Sequence, residues 1–374
     1  MKIAFILFSN GLEYDDRIRK EMFSIRELLG EVEFKIFAFH GDNHSETGVL
    51  SYGVPFEFVS IRSRGGKKSL LSMLRKEYDF YSQIKPKLKG FDLLWVCDDQ
   101  PFFFPLFSRK PIIWDLHEIP TSIIGTRIKN YIFHRMESRC RYLIHANQER
   151  LEYLIANKIV KSPQKNLILR NVPDQDWLAQ RDSFSSSFLQ FKKWLQEDEY
   201  IYLQGLNGGS RYPMETLSSI MEAKCIKAVV VGNVPDEIIR AVSYKYPDLA
   251  QYIYFTGQVV QSETAAFLGN CKFSIVFYKT DTPNNTYCEP NRMFQSLGIG
   301  KPVLAGSNSP MRNIIEKYGN GIVLYGDGGN VEENVRGIHC MLDSYDNILK
   351  LTQESMNCFK WEAQLPVFRR IFNK

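Results

Sequence analysis

Short apolar, β-branched or aromatic runs alternate with helix-length amphipathic stretches along almost the whole chain. In the first half the runs are KIAFILF (2–8), FKIFAFH (34–40), PFEFVSI (55–61), DLLWVC (92–97), PIIWDLH (111–117), YLIHAN (142–147) and NLILRNV (166–172). In the second they are YIYLQG (200–205), KAVVVGN (227–233), YIYFTGQV (252–259), FSIVFY (273–278), PVLAG (302–306) and GIVLY (321–325). Runs this apolar suit parallel strands covered on both faces by helices. The expected class is α/β, with two doubly wound Rossmann-like domains facing across a cleft.

A chain of 374 residues also exceeds what one hydrophobic core usually serves. Periodicity lapses over NVPDQDWLAQRDSFSSS (171–187), where Pro, Asp and Ser gather. The boundary is expected there, with domains at 1–172 and 173–359. In open α/β sheets ligands sit beyond the carboxyl ends of the strands, so those ends are where functional residues are sought.

The seven cysteines (Cys97, Cys140, Cys225, Cys271, Cys288, Cys340, Cys358) are odd in number, widely spaced and include no Cys-x-x-Cys. They fit a reducing compartment rather than a disulfide framework or zinc site. The N-terminus runs directly into KIAFILF without the pattern of a signal peptide. No apolar run approaches the roughly 18 residues of a membrane span. The expectation is a soluble, cytoplasmic protein.

Charge is unevenly placed. Residues 1–170 carry 27 Lys and Arg against 20 Asp and Glu, whereas the remainder carries 20 against 22. Within the basic half, RSRGGKK (62–68) leads into Arg75, Lys76, Lys85, Lys87 and Lys89, a density suited either to a solvated helix face or to an anionic membrane surface. Nucleic acid is not an expected partner.

Polar residues with chemical capability cluster at the predicted strand ends. YIYLQG is followed by LNGGSR, where Gly208 and Gly209 let the backbone approach a ligand and Arg211 can reach an anion. KAVVVGN ends in Gly232 and Asn233. After FSIVFY and a long polar loop, Glu289, Pro290, Asn291 and Arg292 open a helix, with proline at a permitted first-turn position. A helix N-terminus beside planar, permanently charged guanidinium groups suits a diphosphate. In the first half, SNGLEYDDRIRK sets Asn10, Gly11, Asp16 and Arg17 just past the first run, and IIWDLHE sets Asp115, His117 and Glu118 at another strand end. His117 there could donate to a substrate oxygen or shuttle a proton.

Other patterns carry less. Gly-Ile-Gly-Lys-Pro (298–302) is no phosphate loop, because Pro302 follows Lys301 where a magnesium-binding hydroxyl is needed. Asp174-Gln-Asp176 falls in the interdomain stretch, and His40 and His44 have no third ligand. No metal site is expected. PFFFPLF (101–107) could form a membrane or acceptor patch, but an aromatic run after a strand is more often core.

With these residues in place, the chain resembles the GT-B glycosyltransferases, particularly the family 4 type that builds bacterial surface polysaccharides. The pieces come in order: DDRIRKE, WDLHE, RNVPD, GLNGGSR, FTGQV and EPNRMFQSLGIGKPV. The resemblance implies that the second domain binds a nucleotide-diphospho-sugar as donor substrate, with no cofactor. Arg211 corresponds to the family's phosphate-contacting lysine and Leu206 replaces a family arginine. Arg292 matches a common Lys/Arg, His117 the histidine facing the sugar, and Gln258 with Val259 the base-binding strand end, while Asn10, Gly11, Asp16, Arg17, Asp115 and Glu118 are expected on the acceptor side. Gln295, five residues before Gly300 and seven before Pro302, stands where the family has a glutamate. The other family glutamate maps to Tyr287, with Glu289 out of register. The resemblance also implies a C-terminal helix, within 360–374, returning to the first domain.

The implied activity is metal-independent, retaining transfer of a sugar to a glycan or lipid-linked acceptor at the inner membrane surface. The substitution at Gln295 leaves the stereochemistry open. Two other readings share the architecture. A nucleotide-sugar 2-epimerase would need paired acid/base carboxylates that the sequence does not reveal. A non-catalytic partner subunit would explain the missing glutamates.

Overall fold

The structure, a computed structural model, describes residues 1–9, 11–62 and 70–373. Asn10 and residues 63–68 of the basic run, both singled out above, lie outside the described residues. The chain divides into two compact units, Met1–Arg170 with Gln364–Lys374, and Asn171–Ala363.

The first unit is built on an eight-stranded sheet of order β3-β4-β2-β1-β5-β6-β7-β8. Its strands are β1 (Lys2–Phe8), β2 (Glu33–Phe39), β3 (Glu46–Val49), β4 (Pro55–Phe58), β5 (Leu93–Cys97), β6 (Ile112–Leu116), β7 (Tyr142–His145) and β8 (Asn166–Ile168). Seven pair in parallel, and every one of those seven coincides with an apolar run in the sequence. The exception to the parallel expectation is β3, which pairs antiparallel with β4 at the sheet edge, Thr47 opposite Glu57. Its sequence, ETGV, is short, polar and mostly exposed, so it lacks the signature of a covered strand.

The helices used below are α1 (Asp16–Leu29), α2 (Leu70–Ile84), α3 (Phe103–Phe107) and α4 (Arg127–Arg139). Asp15 caps α1 by accepting from the Ile18 amide, and Thr126 caps α4 by accepting from Lys129. The helix Leu365–Phe372 belongs to this unit and sets Phe368 against Trp95, ring centroids 6.3 Å apart.

The second unit has a six-stranded, wholly parallel sheet of order β11-β10-β9-β12-β13-β14. The strands are β9 (Tyr200–Gln204), β10 (Lys227–Val231), β11 (Ile253–Gly257), β12 (Ser274–Val276), β13 (Val303–Ala305) and β14 (Gly321–Val323). Two-residue periodicity sorts its side chains. Ile201, Leu203, Ala228 and Val230 enter one core, whereas Tyr200, Tyr202, Val229 and Val231 enter the other. Both faces are thus covered, as the unbroken apolar runs require.

Each sheet reverses its winding once, between β1 and β5 in the first and between β9 and β12 in the second. At such a reversal the connections leave in opposite directions and open a crevice at the carboxyl ends of the two strands. The polar residues of interest gather there. Among the described residues, no helix is long and apolar enough to cross a membrane.

Candidate functional site

In the second unit, the loop after β9 carries Gly208 and the short helical turn Gly209–Arg211. A backbone hydrogen bond from Lys279 to the Ser210 carbonyl (2.8 Å) ties this loop to the one after β12. Arg211 donates through Nη1 to the Gly205 carbonyl, and its guanidinium carbon lies 5.4 Å from the centre of the Tyr278 ring. Arg292, on the helix Asn291–Gly298, approaches the same ring at 4.9 Å. Two guanidinium groups therefore converge on Tyr278 at the reversal point of the sheet.

Arg292 is buried, donating from Nη1 to the Gln204 carbonyl (2.6 Å) and from Nη2 to the Phe277 carbonyl (3.0 Å). It joins the ends of β9 and β12. Burial, reinforced by the charge of Arg211, lowers its pKa. Neither arginine has a carboxylate within ion-pair distance among the described residues, and Arg292 Nε has no hydrogen-bond partner there. A buried cation without an acid is costly, so this is a place that favours an anion.

Neighbouring groups complete the edge. Gly205 (φ 66°), Gly232 (φ 97°) and Gly257 (φ 66°) close β9, β10 and β11 in the left-handed region that favours glycine. They are stitched laterally: Gly205 N–H donates to Val231 and Gly232 N–H to Gly257, each at 3.0 Å. Asn233 and Gln258 are exposed beside this ledge, whereas Val259 packs partly against the core. Pro290 precedes the Asn291–Gly298 helix without a side-chain cap, Asn291 is exposed, Glu289 is half-buried and Gln295 is buried. Tyr212 donates to Asp327 Oδ2 (2.9 Å), which also accepts from the Thr280 amide (3.0 Å), fixing the rim.

The first unit holds a different constellation. Arg17, on α1, forks onto Asp115 at the end of β6, Nε to Oδ2 at 3.0 Å and Nη2 to Oδ1 at 2.7 Å, while Nη1 donates to the Leu169 carbonyl. Glu21, one turn along α1, lies 3.1 Å from Arg17 Nε. His117 Nε2 is 2.8 Å from Asp115 Oδ2, and its Nδ1 is 3.3 Å from Asp98 Oδ2. Asp98, in the left-handed conformation (φ 62°) after β5, also accepts from the His117 amide (3.1 Å).

Electrostatics follow from this packing. Burial opposes charge on every member, yet Arg17 and His117 outweigh it and hold the Asp115 carboxyl well below the usual range. Likewise Asp98 and Asp115 outweigh burial and raise the His117 pKa well above its ordinary value. Glu21 goes the other way, its pKa raised by burial and then by the charge of Asp115. The result is an imidazole whose protonated form is favoured between two carboxylates, with a glutamic acid behind the arginine whose charged form is disfavoured.

Sequence reading expected His117 to face a substrate oxygen, but both ring nitrogens here face carboxylates. Arg17 was expected as a contact for the acceptor and instead is buried as the counter-ion of Asp115. Asp16 pairs with Arg19 and Lys20, Gly11 donates to Ser9 Oγ (3.1 Å), and Glu118 is exposed. Asp98 and Tyr278 went unnoticed. Their signal was position: each immediately follows, or ends, an apolar run.

Cys97, Asp115 and His117 bring one ligand atom each within 4.8 Å of one another. They do not make a convincing metal set. Both Asp115 oxygens are engaged by Arg17, and burial pushes the Cys97 thiol well up, against the thiolate a metal needs. Asp174, the other metal-like signal, caps a short helix by accepting from the Trp177 amide (3.0 Å).

No protein-family model matches the chain, and no curated protein matches it in sequence. Its fold does have counterparts. HepE of Anabaena, solved in complex with UDP, superposes with a TM-score of 0.73 at 12% identity over 100% of both chains. Sucrose-phosphate synthase of Thermosynechococcus elongatus gives 0.72 at 12% identity over 99% of this chain and 98% of that one. A UDP-forming trehalose-phosphate synthase from Burkholderia xenovorans gives 0.70 at 12% identity over 100% and 98%. The shared architecture is that of the GT-B glycosyltransferases.

Proposed function

We propose that this protein is a glycosyltransferase of the family 4 type, moving a sugar from a nucleotide-diphospho-sugar to a glycan or lipid-linked acceptor in cell-surface polysaccharide synthesis. The observation that carries the reading is the convergence of Arg211 and Arg292 on Tyr278, without a carboxylate partner among the described residues, at the winding reversal of the second sheet. A diphosphate supplies the missing anion. UDP is the first nucleotide to test, because HepE was solved with it.

Departure of a nucleoside diphosphate leaves negative charge on the diphosphate and positive charge on the anomeric carbon. Arg211, half-exposed on its loop, is the group free to follow that charge; Arg292, seated on two carbonyls, keeps a fixed positive potential behind it. One preorganised contact of this kind contributes about 2.7 to 4 kcal/mol to the transition state, by analogy with oxyanion donors. Two such charges and the amides of the Asn291–Gly298 helix do the work elsewhere given to a metal ion, so the proposed reaction is metal-independent. Retention, with the leaving phosphate helping to deprotonate the acceptor, is proposed with it. In the first unit, the Asp98–His117–Asp115 arrangement maintains a cation on the acceptor side, and the protein works at the cytoplasmic face of the membrane.

A second reading is a partner subunit that binds donor without turning it over. Gln295 in the glutamate position and the double engagement of His117 favour it. Thermal unfolding with UDP-, GDP-, TDP- and CMP-sugars, for the native chain and Arg211→Ala, tests both readings. A ligand at about a hundred times its Kd stabilises by about 2.7 kcal/mol. Stabilisation by one nucleotide class, lost in Arg211→Ala, supports the donor site, and release of sugar or its transfer then separates enzyme from partner. Absence of stabilisation by every sugar nucleotide in the folded native chain would overturn the reading.

A further inference from the structure

The outward faces of α2 and α4 are unusual for helices flanking a sheet. On α2 the exposed positions follow helical spacing through Leu71, Arg75, Tyr78 and Ser82. On α4 they include Ile128, Tyr131, Arg135 and Arg139. Leu71, Tyr78, Ile128 and Tyr131 are 60% to 74% exposed, so large apolar and aromatic surface faces solvent.

The two helices are joined by α3. Tyr78 meets Phe103 at 6.0 Å between ring centroids, Tyr81 meets Phe107 at 6.1 Å, and Arg139 donates to the Leu106 carbonyl (2.7 Å). Phe107 is itself 51% exposed. The surface is therefore continuous from α2 across α3 to the end of α4.

Its charge has one sign. The acids of α2 and α4 are turned away: Glu77 and Glu137 are buried, the latter accepting from the Lys161 and Ser162 amides, and Asp79 is half-buried and accepts from the Arg62 amide. What remains outward is cationic, apolar or small. Because α2 leads into β5 and α4 into β7 of a parallel sheet, both run antiparallel to the strands. Their N-terminal halves, carrying Leu71, Ile128 and Tyr131, lie toward the carboxyl end of the strands, the end that holds His117.

We propose that this α2–α3–α4 face is a docking surface for an anionic phospholipid bilayer. Apolar side chains enter the headgroup boundary while the arginines meet lipid phosphates, the two attractions that together give stable peripheral binding. Charge complementarity selects a bilayer of net negative charge over a neutral one. The inference deepens the membrane-side part of the proposed function and rests on it for the purpose of docking. Bilayer binding is measured without sugar nucleotide, so its failure and that of the donor reading are seen separately.

The test is co-sedimentation of the full chain with phosphatidylcholine vesicles and with vesicles containing phosphatidylglycerol, at low and high salt. Binding to the anionic vesicles alone, weakened by salt, is expected. Arg75→Ala with Arg135→Ala should weaken it about thirtyfold, at roughly fivefold per cation near an anionic surface. Ile128→Asp with Tyr131→Asp should abolish it, and Tyr244→Asp, at a position 93% exposed in the second unit, should leave it unchanged. Thermal unfolding of each variant guards against misfolding. The proposal fails if the native chain ignores anionic vesicles, binds neutral ones equally, or binds undiminished in the folded double variants. It fails too if the face is covered by a second copy, seen as a dimer that the aspartate pair dissociates.

Discussion

Removing the carboxylate of Asp115 should cost less than its three charged hydrogen bonds suggest, because a substitute lies beside it. Asp115→Asn leaves Arg17 buried without its counter-ion, a change that ordinarily destabilises by about 3 to 5 kcal/mol. The charged form of Glu21, 3.1 Å from Arg17 Nε, is disfavoured by burial and by the charge of Asp115, which favours a neutral acid in the native cluster. Once that charge is gone, Glu21 can ionise against Arg17, and the expected cost at pH 7 falls to about 2 kcal/mol. Glu21→Gln alone replaces a neutral group by a neutral one and should cost under about 1 kcal/mol. The double variant strands the arginine and returns the cost to about 3 to 5 kcal/mol. Urea unfolding at constant m-value measures all four chains. The double cost should exceed the sum of the singles by about 1 kcal/mol or more. If the singles simply add, or Glu21→Gln costs as much as Asp115→Asn, the neutral-acid account of this cluster is wrong. Acid sensitivity should change too. Asp115 is depressed, so its stabilisation is present above the unfolded carboxylate range and lost as pH falls through its folded value, a loss Asp115→Asn no longer shows.

Two further outcomes follow from the same physics. The His117 pKa is raised, so its contribution is complete below its unfolded value near 6.5 and is lost as pH rises through the folded one; Asp98→Asn should move the His117 ring titration, followed by NMR, to lower pH, and an unmoved titration would show that Asp98 does not hold the charge. Burial pushes the Glu77 carboxyl up to about 8 against the opposing pull of Lys76, so the native fold loses stability as pH climbs from about 4.5 toward 8. Glu77→Gln should therefore stabilise the protein more at pH 8.5 than at pH 5, by a few kcal/mol at about 1.4 per pKa unit, and a pH-independent difference in denaturant midpoint would contradict it.

The strands were legible because covering both faces of a sheet demands consecutive apolar residues, and KIAFILF or KAVVV can satisfy little else. Glu46–Val49 was not, since an exposed edge strand needs only backbone pairing with β4. The location of the polar clusters could be read from the rule that ligands lie beyond strand ends, but the direction of a side chain could not. Arg292 and Arg211 look interchangeable in sequence; one is buried on two carbonyls and the other, half-exposed on its loop, is held by a single carbonyl. Likewise, WDLHE announces a histidine at a strand end without revealing that Asp98, nineteen residues earlier, holds its second nitrogen.

The ledge made by Gly205, Gly232 and Gly257 has a consequence for how such a chain can drift. Three adjacent strands end there without a side chain, so a flat ligand lying along that edge would be read by peptide groups rather than by residue identity. A recognition surface written in main chain survives replacement of nearly everything around it, provided the three turns keep their handedness. That is one physical route by which a fold still shared at 12% identity can keep the form of an edge while the side chains around it change.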